Sequence, residues 1–303
     1  MTRAAVDAPA RPERRAWTVL ELLRWTTAHF AERGIETARL DAECLLAHAL
    51  GSSRLRLYLD YDKPIAESER AGFRELVRRR AGERIPVSQL VGRKEFWSLP
   101  LRVTREVLTP RPETETLVAA ALELLPEGAP RVLDVGTGSG AIALAIAHER
   151  PDARITATDV SEEALKLAQQ NAEELGMAER IAFVAGDAFE ATRGARFDLV
   201  VSNPPYLDPA GAAGLPPELR HEPAQALFSG EGGLAMLRRL AAGAAQWLEP
   251  GGVLALEHAP DQAAEVADAC RLGGLTEIAT RRDLGGKPRV TTARLDRSPA
   301  GEV

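Results

Sequence analysis

A chain of 303 residues with 45% hydrophobic and 27% charged side chains has room for two unequal domains with real cores, which excludes a disordered or fibrous protein. Its formal charge of −6 argues against holding duplex nucleic acid by phosphate neutralisation, which needs clustered excess Lys and Arg. Cys44 and Cys270 stand far apart in apolar helical patterns and the histidines lack paired spacing, so neither a disulfide framework nor a metal site is expected, and a reducing cytoplasm is. No apolar run nears the roughly 20 residues that span a bilayer, so no membrane partner is expected.

Residues 1–15, rich in Ala, Pro and Arg, lack an apolar signal core and read as a disordered tail. Thr18 with Glu21 spells a capping box, and Val19, Leu22, Leu23, Thr26 and Phe30 then recur at helical spacing until Gly34. Ala42, Leu45, Leu46 and Ala49 repeat the period up to Gly51, and Glu67 to Arg80 forms a further helix with Phe73, Leu76 and Val77 inward. Residues 16–84 therefore read as a small helical bundle. Its basic stretch, Arg74, Arg78, Arg79, Arg80 and Arg84, fits a solvated helix face as well as a docking surface for an acidic partner.

From 85 to 112 the pattern changes to short β-like runs, Glu95 to Leu99 and Leu101 to Thr104, broken by Pro100, which predicts a hairpin linking two domains. Residues 113–296 alternate strand and helix, the pattern of a doubly wound, mostly parallel α/β sheet, and 297–303 read as a second tail. The segment Leu207 to Ser229 has no periodicity and carries Gly211, Gly214, Pro216 and Pro217; it is expected to be a flap that orders when substrate enters.

Asp134-Val135-Gly136-Thr137-Gly138-Ser139-Gly140 lies between a buried strand and a helix, where a doubly wound sheet opens its ligand crevice. Glycines there let the backbone turn and approach a ligand closely. Asp159, ending the next strand, is placed to accept hydrogen bonds from both hydroxyls of an adenosine ribose. These features fit S-adenosylmethionine or a nicotinamide dinucleotide, since Gly136, Gly138 and Ala141 also match the looser dinucleotide fingerprint. Asp187, after the third strand, reads either as a partner of the adenine amino group or as a turn residue following Gly186.

Asn203-Pro204-Pro205-Tyr206, after the fourth apolar strand, separates the two cofactor readings, because hydride transfer has no use for it. Consecutive prolines fix φ near −65° and present carbonyls without competing amide donors. The Asn203 side-chain oxygen and the Pro204 carbonyl can then accept both hydrogens of a substrate NH₂ group. Such a nitrogen is a poor nucleophile, yet positioning against a sulfonium-bound methyl needs no strong base, and fixed acceptors stabilise the charge that develops on nitrogen. Tyr206 is expected to pack its ring on the planar group.

On these residues the chain resembles the protein-(glutamine-N5) methyltransferases specific for peptide chain release factors, from about Trp17 to Leu295. The likeness extends to Arg39-Leu40-Asp41-Ala42-Glu43, Gly92-Arg93-Lys94-Glu95-Phe96-Trp97, Thr109-Pro110-Arg111-Pro112-Glu113-Thr114-Glu115, Glu222-Pro223, Ala226-Leu227 and Arg289-Val290. The resemblance implies a seven-stranded methyltransferase sheet with a smaller N-terminal helical domain joined by a β-hairpin. It implies contact of S-adenosylmethionine with Gly136 to Gly140, Asp159 and Asn203, and with Asp187, Ala188 and Phe96 beside them. Asn203 to Tyr206 would hold the glutamine of the release factor's Gly-Gly-Gln loop, Phe96 and Arg111 to Glu113 would close over it, and the helical domain would dock the release factor, the chain acting as a monomer. Val87-Ser88-Gln89-Leu90 and Ala188 depart from the usual pattern. Two other readings remain open at the level of sequence: an adenine-N6 nucleic acid methyltransferase, whose target amino group would fit the same acceptors, and a silent module that binds a translation factor.

Overall fold

The computed structural model describes residues 16–187, 190–192 and 194–297. Both expected tails, apart from Arg297, and Ala188 lie outside the described residues. The chain divides into two compact units at Val91/Gly92.

The first unit is helical: α1 (Val19–Ala31), α2 (Ala38–Ala49), α3 (Arg54–Leu59), α4 (Glu67–Arg78) and α5 (Val87–Val91). The predicted capping box at the start of α1 is present, with Thr18 and Glu21 exchanging bonds of 3.0 and 3.3 Å. Phe30, Leu45, Leu46, Phe73 and Val77 form the core, and Ile85 and Leu90 join it. Because those two apolar side chains bury here, the unit runs seven residues beyond the expected boundary at 84.

The Arg39 to Glu43 motif is internal framework. Asp41 pairs with buried Arg80 at 2.7 Å, while Glu43, 2% exposed, accepts from Arg39, Arg54 and the Tyr58 hydroxyl. Arg74 and Arg78 pair with Glu67, Glu75 and Glu83, and Arg84 donates to the Arg33 carbonyl. These neighbouring acids answer the basic stretch, which favours the solvated face over an acidic partner.

The second unit opens with the hairpin β1 (Arg93–Phe96) and β2 (Leu99–Arg102). Its turn is Trp97-Ser98, with φ of 51° and 59°, the left-handed pair that matches strand twist. Pro100 is no break: it sits within β2 opposite Glu95, at the edge of a two-stranded sheet where a missing N–H is tolerated. Phe96, Leu99 and Leu101 share a core with Leu117 and Val132, so the hairpin is part of this unit and the expected 85–112 linker does not exist as one piece.

Next come α6 (Glu115–Leu124), β3 (Arg131–Val135), α7 (Ala141–Glu149), β4 (Arg154–Asp159), α8 (Glu162–Glu174), β5 (Ile181–Ala185), β6 (Phe197–Ser202), α9 (Ala224–Leu227), α10 (Ala235–Gly243), β7 (Leu248–Glu257), α11 (Ala263–Leu272), β8 (Leu275–Arg282) and β9 (Pro288–Leu295). The seven-stranded sheet has the order β5-β4-β3-β6-β7-β9-β8. Strands β3 to β7 pair in parallel and β9 antiparallel to both neighbours. Val132 faces one core and Leu133 the other, which explains the unbroken apolar run of a strand covered on both faces.

Winding proceeds outward from β3 through β4 to β5, then restarts at β6 on the other side, so the switch point lies between β3 and β6. Ligands bind outside the carboxyl ends of strands at such a point. The segment 207–229 is folded rather than structureless. It contains turns of 3₁₀-helix at Pro209–Gly214 and Pro217–His221, and its ends are tied by Leu207 N–H to the Leu227 carbonyl at 2.9 Å and Ser229 N–H to the Leu207 carbonyl at 3.0 Å. No described helix is long and apolar enough to cross a membrane.

Candidate active site

A crevice open on one side lies at the switch point, where doubly wound sheets bind ligands. Gly136, Gly138, Asp159, Asp187, Asn203, Pro204 and Pro205 line it. Apolar walls come from Val107, Leu108, Val160, Met236 and Leu240, none of which carried a signal in the sequence beyond ordinary core patterning.

The glycine loop turns only part of itself to this space. A Cβ added at Gly136 or Gly138 would meet no protein atom within 4 Å, so a ligand can approach the bare backbone there. The other loop residues face the protein. Thr137 donates its hydroxyl to Asp134 at 2.7 Å, and the Ser139 carbonyl accepts from Asn171 at 2.8 Å. Gly140, with φ of +83°, backs onto Ala168, where an added Cβ would stand 3.1 Å from that side chain. Thr137, Ser139 and Gly140 therefore shape the loop and do not line the crevice.

Beneath the loop, burial raises the Asp134 carboxyl to a pKa of about 7, against the lowering effects of Thr137 and the Ala143 amide. Its Oδ1 is buried without a hydrogen-bond partner among the described residues. Asp159 accepts from the Gly138 and Ser161 amides, both at 2.9 Å, so the backbone fixes its carboxylate at the wall. Each oxygen keeps a lone pair for a ligand hydroxyl. Asp187 is held by Arg239, which reaches both its oxygens at 2.8 Å.

Asn203 follows β6 directly, and its Nδ2 donates to the Thr114 hydroxyl at 3.1 Å. Its Oδ1 is buried and has no partner among the described residues. Leaving a buried acceptor unpaired costs about 1–3 kcal/mol, a cost that a donor entering the crevice would remove. No described amide donates to the Pro204 carbonyl. Asn203 Oδ1, without a donor among the described residues, and the Pro204 carbonyl, which no described backbone amide reaches, thus lie on one proline-fixed segment that lines the crevice.

Tyr206 is placed otherwise than expected. Its ring packs on the core of β6 and β7 and its hydroxyl donates to Glu257 at 3.2 Å. Burial, then the charge of Glu257, push its pKa upward, so the phenol stays protonated. The Tyr206 carbonyl accepts from Gln262 at 3.0 Å. Gly233 lets this contact form, because a Cβ there would fall 2.2 Å from the same carbonyl oxygen.

Phe96, at 2% exposure, is buried in the core on the inward face of its hairpin. Arg111 pairs at 2.6 Å with buried Glu222 of the 207–229 segment, and the Thr109 amide donates to the same carboxylate at 3.3 Å. This pair straps the Thr109 to Glu113 stretch to that segment, whose Pro223, Gln225 and Ala226 line the crevice. Glu113 is exposed and adds negative charge near Glu257.

Comparison with known proteins gives these features their setting. A family model described as the PrmC N-terminal domain matches residues 21–92, and one described as the methyltransferase small domain matches 114–249. The release factor glutamine methyltransferase of Rhodopirellula baltica is 45% identical over 282 residues, covering 90% of this chain and 95% of that protein. The protein of the same name from Xylella fastidiosa is 49% identical over 260 residues, covering 84% and 93%.

The chain belongs to the release factor glutamine methyltransferase family. Its members from R. baltica and X. fastidiosa align across both compact units, so family membership covers the helical unit as well as the sheet. Among solved structures, a methyltransferase from Pyrococcus furiosus matches with a TM-score of 0.50 at 20% identity, covering 65% of this chain and 89% of that one. The hMettl16 catalytic domain matches with a TM-score of 0.55 at 16% identity, covering 68% and 78%. These two likenesses establish the methyltransferase fold alone.

Proposed function

We propose that this chain transfers a methyl group from S-adenosylmethionine to the side-chain amide nitrogen of the glutamine in the Gly-Gly-Gln loop of a peptide chain release factor. The observation that carries this reading is Asn203 Oδ1, buried with no partner among the described residues on a crevice-lining side chain whose Nδ2 bonds Thr114, followed by a Pro204 carbonyl that no described backbone amide reaches. A flat NH₂ group has the two hydrogens these oxygens lack. The residues present also suit the cofactor: bare backbone at Gly136 and Gly138, a carboxylate at Asp159 for ribose hydroxyls, and apolar walls for a purine.

When bound, S-adenosylmethionine supplies an electrophilic methyl whose leaving group is a neutral thioether. The chain does the rest by orientation. Asn203 Oδ1 and the Pro204 oxygen would accept both amide hydrogens, turning the nitrogen lone pair out of its own hydrogen-bonding plane and toward the methyl. The same oxygens stabilise the positive charge that grows on nitrogen, and one of the two hydrogens leaves as a proton once the new bond has formed. No crevice-lining side chain is needed as a strong base. The names carried by the relatives supply the protein substrate, and the helical unit is the element we assign to docking it.

Incubation with labelled S-adenosylmethionine and, separately, unmodified release factor, DNA and RNA tests the reading, with the label mapped by mass spectrometry. Label on the Gly-Gly-Gln glutamine is expected. Label confined to nucleic acid would favour the adenine-N6 reading, and no label on any of the three would favour a silent binding module.

A further inference from the structure

Asn171, on α8, is 1% exposed and plays no part in gripping the target amide. Its Oδ1 accepts from the Arg102 amide at 2.8 Å, and its Nδ2 donates to the Arg102 carbonyl at 3.1 Å and to the Ser139 carbonyl at 2.8 Å. One buried carboxamide therefore joins the end of β2 to the glycine loop. Its neighbours settle which way round it sits. Turned over, its oxygen would face two carbonyls and its NH₂ would face an amide donor, so three bonds would become three repulsions. Both Nδ2 hydrogens are thus in use, one on each carbonyl.

The same stripe of α8 holds both segments along its length, because residues three and four apart are neighbours on a helix surface. Ala168, one turn before Asn171, is the side chain against which Gly140 rests, where an added Cβ would stand 3.1 Å away. Ala164 and Leu167 pack on Val107. One turn after Asn171, Glu174 pairs with Arg102 at 2.9 Å and with Arg93 at 3.1 Å. Glu106, Val107 and Leu108, which follow β2, line the crevice, and so do Gly136 and Gly138. Asn171 thus stands behind two walls of the crevice at once without lining it, and a fully satisfied buried carboxamide holds the groups it bonds rigidly.

We propose that Asn171 is a positioning residue for S-adenosylmethionine, its carboxamide fixing the Ser139 carbonyl, and with it the path of the glycine loop, against the stretch that follows β2. This inference rests on the reading of the crevice as the cofactor site. The first half of the loop is tied to β4, through Gly136 and Thr137 to the Thr158 carbonyl and through Gly138 to Asp159. Asn171 reaches the second half, at Ser139. Without it the bare backbone that receives the ligand is no longer set in advance, and the cost of ordering it falls on binding. Asn203 and Thr114 bond each other on other elements, so methyl transfer from cofactor already bound should proceed much as before. Loss of Asn171 is therefore a loss of affinity and not of turnover.

The full chain carrying Asn171→Ala, Asn171→Asp or Glu174→Ala tests this, with Kd for S-adenosylhomocysteine measured by calorimetry, kcat and KM measured on release factor, and the urea midpoint measured alongside. Asn171→Ala should raise that Kd, and KM for S-adenosylmethionine, roughly tenfold, the scale of lost buried hydrogen bonds. Its kcat at saturating cofactor should stay within about twofold of wild type. Asn171→Asp keeps an acceptor for the Arg102 amide but at neutral pH has no hydrogen for the Ser139 carbonyl, so its Kd should rise at least as far. Glu174→Ala loosens the hairpin from α8 without touching the loop and should leave Kd within about twofold of wild type, as for an exposed ion pair. Wild-type Kd in either Asn171 variant, a fall in kcat as large as the rise in KM, or an equal rise in Kd for Glu174→Ala overturns the inference. If Asn171→Ala fails to fold, Asn171→Asp, which keeps the shape of the side chain, decides. If neither folds, the Nδ2 proton resonances of Asn171 in the wild-type chain decide: they should shift when S-adenosylhomocysteine saturates the crevice, and unmoved resonances overturn the inference. A wild-type chain that binds no S-adenosylhomocysteine overturns the reading of the crevice and this inference with it.

Discussion

Asn203 holds a position that packing alone would not favour, since a buried carboxamide oxygen without a donor is a standing cost in the folded chain. Removing that oxygen should leave stability intact while removing transfer. Asn203→Ala is expected to lower kcat about 10²- to 10³-fold, the range seen when one preorganised transition-state partner is deleted, with the cofactor dissociation constant within a few-fold of wild type by calorimetry; retained turnover would refute the assignment. The importance of Asn203 was legible in the sequence because Asn-Pro-Pro-Tyr is local and follows a recognisable buried strand. Thr114, which orients it, was not: it lies 89 residues away in the chain, and only the packing of α6 beside the sheet brings the two together. Phe96 entered only through the family resemblance, and no local pattern in the sequence gave its burial on the inward face of the hairpin.

Among the elements, the strand-loop-helix around β3 and α7 was readable in detail, because glycines and a continuous apolar run are strong local signals. Which loop residues face the ligand depends on the path of the turn, which spacing does not encode. Gly140→Ala is expected to destabilise the second unit by about 1–3 kcal/mol, since a Cβ would combine a left-handed φ with contact on α8; a midpoint in urea unchanged from wild type would contradict this. The 207–229 segment misled for a related reason. Its turns rest on prolines and backbone bonds rather than on hydrophobic period, so it looked structureless. With Glu222 removed, the strap to Arg111 and Thr109 is lost, and Glu222→Ala should open this segment to limited proteolysis several-fold faster, on the order of 1 kcal/mol for a pair whose arginine is 36% exposed. Equal cleavage rates would show that the loop is held by other means.

At the scale of the molecule, the two carboxyl groups raised to a pKa of about 7, Asp134 and Glu257, set a direction for stability. Each binds its proton more tightly when folded than when unfolded. Their contribution is fully present below the unfolded carboxyl range, near pH 4, and is lost as pH rises through about 7. Asp134→Asn should therefore show a weaker decline of Tm with pH than wild type between about pH 4 and 7; identical slopes would contradict the cause assigned to the raised pKa. The sheet class and the presence of a helical unit were legible from alternation and periodicity, whereas the boundary at Val91 was not, because the burial of Ile85 and Leu90 is decided by tertiary contact.

In the proposed reaction a pair of fixed oxygens grips a flat NH₂ group at the crevice wall. A crystal structure of the chain with S-adenosylhomocysteine and a peptide containing Gly-Gly-Gln tests it most directly. The glutamine nitrogen should lie about 2.7–3.2 Å from both Asn203 Oδ1 and the Pro204 oxygen, facing the sulfur. A glutamine whose amide oxygen occupies that place, or whose side chain lies outside the crevice, would contradict the account.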